Sequence, residues 1–90
     1  MRYIKVIWIH EFDNEPVLFY HEIDNDGFEV RKLWIFNDGK AELASEGYES
    51  EDIYLSPEII PTINEINQDT QFIAKEISAE EFESIWIEHV

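Results

Sequence analysis

The chain has 90 residues, 21 of them acidic and 6 basic, for a formal net charge of −15 at pH 7. That charge excludes nucleic acid and anionic membrane surfaces as direct partners and favours basic proteins or cations, while the length allows one domain, residues 1–90. With 44% hydrophobic and 14% aromatic residues the chain can bury a core, so its charge does not mark disorder.

Cysteine is absent, which excludes a disulfide framework, a thiolate nucleophile and a Cys-containing zinc site, and makes the cytoplasm the expected location. The apolar opening, Met1 to Ile9, is interrupted by Arg2 and Lys5 and is too short for a membrane span. It reads as part of a first strand, Tyr3 to His10, apolar on both faces and therefore central in a sheet. Residues 11 to 16 connect it to a second strand, Val17 to Asp24, with Pro16 at the entrance.

Asn25-Asp26-Gly27 and Asn37-Asp38-Gly39 predict two hairpin turns, since Asp-Gly supplies the positive φ that tight turns need. Two-residue loops at Asp26-Gly27 and Asp38-Gly39 would set Phe19 opposite Trp34, Val17 opposite Phe36 and Ile23 opposite Val30, and then Trp34 opposite Leu43 and Phe36 opposite Ala41. The shared aromatic face is expected to carry the helices. The other face, with an exposed Glu22–Arg31 pair worth ~0.2–1 kcal/mol, is expected to be partly open to solvent.

From Glu46 to Ser56 the alternation lapses into a loop in which Glu46, Glu49, Glu51 and Asp52 surround Tyr48. An interior proline costs ~3 kcal/mol, so a short helix begins near Pro61 and ends by Gln68. Phe72 to Ile77 reads as a strand. Ser78-Ala79-Glu80-Glu81 reads as a capping box, followed by Phe82, Ile85, Trp86 and His89 at helical spacing. The expected fold class is α+β: an antiparallel β-meander of about four to five strands, with a short helix and a C-terminal amphipathic helix packed on one face.

Nothing in the chain assembles a catalytic motif, so the expectation is a non-enzyme with no cofactor and no metal. His21 reads as a structural histidine opposite Lys32, and His89 lies at a helix C-terminus, where the dipole can stabilise a cation, and needs no catalytic role. His10, Glu11 and Asp13 do not share the spacing of one ligand set, because adjacent strand residues point to opposite faces. Asp24-Asn25-Asp26-Gly27 lacks the glycine at position six and the acid at position twelve of a calcium loop. The serines lie in no nucleophile-elbow pattern, no phosphate-binding loop is present, and the abundance of acids robs any carboxylate pair of specificity for glycoside hydrolysis.

The distribution of charge is the informative feature. Residues 1–45 hold 9 acids and 5 bases, residues 46–90 hold 12 acids and 1 base, and no cation lies between Lys40 and Lys75. One reading is a surface that opposes aggregation. The other is a patch complementary to a basic partner, with Glu46, Tyr48, Glu49, Glu51, Asp52 and Tyr54 as its candidate residues, tyrosine among charges being a frequent interface anchor.

The segments YIKVIWIH, PVLFYHEID, GFEVRKLWIFNDG and EISAEEFESIW resemble an uncharacterised family of small acidic bacterial domains with the order YIKVxWxH, PVxxYxE, ExRKxxxFxDG and EISxxEFExxW. The resemblance spans nearly the whole chain, including Trp8, Tyr20, Trp34, Gly39, Phe82 and Trp86, and implies a shared fold without agreed catalytic residues. Small bacterial proteins of this kind occur beside polymorphic or contact-dependent toxins. The resemblance therefore implies an immunity protein; the acidic surface adds the expectation that its target is a basic toxin domain, a nuclease above all, whose phosphate-attracting cleft would meet it. The alternatives are a nucleic-acid-mimicking inhibitor of a DNA-binding enzyme, or a small housekeeping domain with an incidental acidic surface.

Overall fold

In a computed structural model, which describes residues 1–49 and 52–90, the β-branched and aromatic runs form five strands: β1 (Arg2–Trp8), β2 (Pro16–Ile23), β3 (Glu29–Phe36), β4 (Ala41–Ser45) and β5 (Phe72–Glu76). They make one antiparallel sheet of order β4-β3-β2-β1-β5, so β1 is interior as its two apolar faces require. Helix α1 (Ile63–Asn67) starts at Thr62, which shares a reciprocal capping box with Glu65. Helix α2 (Ala79–His89) starts at Ser78, whose hydroxyl accepts from Glu81 N–H at 3.1 Å. This is the expected α+β architecture. No helix among the described residues is long and apolar enough to cross a membrane.

Both Asn-Asp-Gly hairpins carry three-residue loops, not the two-residue loops expected. Asp24 N–H donates to the Phe28 carbonyl at 2.8 Å and Phe36 N–H to the Lys40 carbonyl at 2.9 Å, with Gly27 and Gly39 in the left-handed region at φ +93° and +90°. In the first hairpin a bulge between the pairs Ile23–Glu29 and Glu22–Arg31 absorbs the extra residue, so Phe19 does face Trp34. At the two ends of that ladder the partners differ from expectation: Ile23 faces Glu29 and Phe36 faces Pro16. The second hairpin has no such correction. Leu43 faces Leu33, Glu42 faces Trp34 and Ala41 faces Ile35, one residue away from the expected register, and every β4 side chain changes face.

That slip redistributes the core. Leu43 joins Leu18, Tyr20, Leu33 and Ile35 on what we term the Leu33 face, giving α2 an apolar bed through Phe82, Ile85 and Trp86. The opposite Trp34 face packs Ile4, Val6, Ile23 and Ala74 against Ile60, Ile63 and Ile66 from α1 and its approach. The helices therefore lie on both faces of the sheet rather than together on the aromatic one. Glu22 and Arg31 do pair across β2 and β3, at 2.6 and 3.0 Å, but Glu22 is buried and the Arg31 guanidinium lies 4.8 Å from the Phe82 ring and 4.9 Å from Trp86, with Glu83 as a further partner. The expected exposed pair is thus roofed by α2. Asn67 ties the end of α1 to the outer edge of β5, accepting from Ala74 N–H at 2.6 Å and donating to the Ala74 carbonyl at 3.0 Å, which occupies hydrogen-bonding groups an edge strand would otherwise present.

The two hairpin glycines make a matched experiment. A side chain at either position is strained by about 1–2 kcal/mol, because left-handed backbone brings a Cβ too close to the following carbonyl oxygen, but only at Gly27 would that Cβ also come within 2.7 Å of Ile59 Cγ2. The Gly27 carbonyl accepts from Ile60 N–H at 2.9 Å, holding that segment close. Gly27→Ala is expected to lower the urea midpoint further than Gly39→Ala; equal losses would show that the 59–60 segment is not held on the turn.

Candidate protein-interaction surface

After β4 the chain reverses at Glu46-Gly47, where Ser45 and Tyr48 exchange both backbone hydrogen bonds at 2.8 and 2.9 Å and Gly47 takes φ +82°. Glu46 stands at the tip of this turn and Tyr48 beside it, 66% exposed. The Glu49 carboxylate accepts from Leu55 N–H at 2.5 Å, folding the strap back on itself. Ile53 is buried, whereas its neighbours Asp52 and Tyr54 point outward, Tyr54 being 58% exposed. Tyr48 and Asp52 share one recess with Glu42 and Ile53, and Asp52 and Tyr54 share the next with Lys32 and Trp34. Glu46, Tyr48, Glu49, Asp52 and Tyr54 therefore lie on a single surface strap; Glu51 lies outside the described residues.

What fixes the strap is a buried ionic cluster. Glu29, its side chain 0% exposed, accepts from Ser56 N–H at 2.8 Å and pairs with Lys32 Nζ at 2.9 Å and His21 Nδ1 at 2.5 Å. Burial pushes the Glu29 carboxyl up, but the His21 contact, the Ser56 N–H and Lys32 outweigh it and hold the group below its ordinary value. Simple alternation would have placed Glu29 on the Leu33 face. The bulge at Val30 turns it onto the Trp34 face beside His21 and Lys32, which is why sequence reasoning missed it. The available signal was His21 opposite Lys32: an imidazole and an ammonium paired on a covered face call for an acceptor.

The other histidines are also engaged. His10 Nε2 lies 2.8 Å from the Pro16 carbonyl while Nδ1 accepts from Phe12 N–H at 2.9 Å, which fixes the proton on Nε2, and the ring lies 4.2 Å from Trp8. His89 Nδ1 meets the Ile85 carbonyl at 2.9 Å in the last turn of α2. Among the described residues no group of three His, Asp or Glu side chains converges as a metal-ligand set.

The family model described as Domain of unknown function (DUF6881) matches residues 2–90. The chain belongs to this family. No curated protein and no solved structure matches it. The family match spans the sheet, both helices and the strap.

Sequence reasoning set Phe19 opposite Trp34, as found, but missed that these rings belong to a longer row on the Trp34 face. Phe72 lies 5.8 Å from Trp8, Trp8 lies 6.0 Å from Phe19, and Phe19 lies 6.2 Å from Trp34, centroid to centroid. The pairs Trp8–Phe72 and Phe19–Trp34 follow from strand register and the Trp8–Phe19 contact from the β1–β2 pairing; the row as a whole needs the order of all four strands, which no local pattern supplies.

Proposed function

We propose that the chain is an immunity protein that captures a basic bacterial toxin domain, a nuclease, through the acidic surface that carries Glu46, Glu49 and Asp52. The reading is supported by one observation: Glu46, Glu49 and Asp52 are exposed, and none has a cationic partner among the described residues, while the strap that carries them is anchored by buried Ile53 and by Ser56 on Glu29. Anchoring limits the conformational entropy lost when a partner docks, and the uncompensated charge speeds its approach. A nuclease cleft built to attract phosphate presents the complementary sign. Tyr48 and Tyr54 supply large contact areas of low flexibility beside those charges.

The test is association with the toxin domain encoded next to the chain's own gene. Glu46→Lys with Asp52→Lys is expected to slow association roughly tenfold or more at low salt, with the difference narrowing as salt rises, and to leave the unfolding midpoint unchanged. Glu49 is spared because its carboxylate holds Leu55. Association at the wild-type rate in low salt would remove the strap from the interface.

A further inference from the structure

Helix α1 has five residues and covers only the Ile4–Val6 end of its face, so the ring row Phe72–Trp8–Phe19–Trp34 is left half-buried, and Phe12, 59% exposed, extends it at 6.0 Å from Trp8. Two hollows open along this row. One of about 470 Å³ is lined by Trp8 and Phe12 together with Asp13, Asn14 and Glu15, and one of about 510 Å³ is lined by Phe19 and Phe72 together with Ile66, Glu65 and Asp69. At the Trp34 end the same recess contains Asp52 and Tyr54, so the row runs into the acidic strap. Glu42 faces Trp34 in the ladder, and its Oε2 has no hydrogen-bond donor among the described residues. The nearby cations are two: Lys32 is committed to Glu29, with its ammonium 5.6 Å from the Trp34 centroid, and Lys40 lines a recess beside Trp34's β4 neighbour Glu42 together with Asp13 and Asp38, so the acids there outnumber it.

A half-open aromatic floor between carboxylate walls selects a particular chemistry. An apolar segment would leave the acids desolvated without partners, and a phosphate polymer would be repelled by them. Arginine satisfies both parts, because its guanidinium stacks flat on an aromatic ring, donates in a fork to carboxylates and is less strongly hydrated than an ammonium. Lys32 beside Trp34 and Tyr54, and Arg31 between Phe82 and Trp86, already show cations settled on rings within this chain. We propose that the Trp34 face is a docking trough for an extended, arginine-bearing segment of the basic partner, lying across the row from Phe12 and Trp8 to Trp34 and continuous with the strap. This rests on the proposed function only for the sign of the partner's charge.

The three tryptophans supply the test, since Trp8 and Trp34 line the trough while Trp86 packs on the opposite face. Titrating the full chain with a hexa-arginine peptide and with a hexa-lysine peptide, followed by the assigned indole N–H resonances, is expected to shift Trp8 and Trp34 and leave Trp86 in place. The arginine peptide should bind about fivefold tighter than the lysine peptide of equal charge. Equal affinities, or shifts at all three indoles or at none, would overturn the trough, as would Trp8 and Trp34 shifts that appear with protein concentration alone and so assign the face to a second copy. The peptide readout needs no toxin. The strap variant Glu46→Lys with Asp52→Lys fails or succeeds on toxin association separately, so the two readings can fall independently.

Discussion

Phe82→Ala is expected to remove about 3–5 kcal/mol of stability, roughly a fifth or more of what a domain of this size has to lose. Phe82 is 1% exposed, with Tyr3 at 5.4 Å, Trp86 at 6.1 Å and the Arg31 guanidinium at 4.8 Å from its ring. It is the one fully buried residue of α2, so its ring is the main link between the helix and the sheet. Truncation would leave a cavity between β1, β3 and α2 and strip one wall from a guanidinium that is otherwise held by Glu22 and Glu83. Urea unfolding followed by far-ultraviolet circular dichroism measures the loss, with Ile87→Ala as the control, since Ile87 is exposed on the outer side of the same helix. A loss at Phe82 no larger than that at Ile87 would mean that α2 does not rest on the Leu33 face.

The arrangement around Phe82 shows what sequence patterns can carry. The 3.6-residue spacing of Phe82, Ile85 and Trp86, the Ser78 cap and the Pro61 start are local rules, and both helices formed within a residue or two of the positions they dictate. Strand existence is equally local, and so is Glu22 opposite Arg31. The choice of face is not. Each Asn-Asp-Gly turn admits a two- or three-residue loop, and one extra residue inverts a strand unless a bulge restores it; β2 and β3 acquired the bulge and β3 and β4 did not. From that single difference came the misplaced Leu43 and Glu42, the expectation of both helices on one face, and the exposed reading of a Glu22–Arg31 pair that α2 covers. The strap's exposed residues were legible because a lapse in alternation amid acids is itself a local signal. Its anchor was not, because Glu29 meets Ser56 across 27 positions of sequence through a bulge.

Glu29→Ala is expected to cost about 3–5 kcal/mol, because it strands the Lys32 ammonium, the His21 imidazole and an amide rather than removing a favourable contact alone. His21 and Lys32 would be left side by side with little solvent, their side chains 14% and 11% exposed, and Ser56 N–H would lose its acceptor. The more informative variant is Glu29→Gln, which keeps an oxygen for Ser56 and loses the charge; about 1–3 kcal/mol is expected for it. Its pH dependence has a definite sign. Because the folded carboxyl is held below its ordinary value of 4.5, the unfolded chain takes up the proton first as pH falls, so the stabilisation from ionised Glu29 is complete above 4.5 and fades as pH drops through the depressed folded value. The stability gap between wild type and Glu29→Gln should therefore narrow as pH falls below 4.5. Taking the difference between the two proteins cancels the opposite trend from surface acids, whose mutual repulsion weakens as they are neutralised. Urea midpoints across the acid range supply the curve. A gap that stayed constant far below 4.5, or widened, would show that Glu29 is not the charged keystone between the sheet and the strap, and the strap would then have to owe its placement to buried Ile53 and to the Ser45–Tyr48 and Ile60–Gly27 backbone bonds.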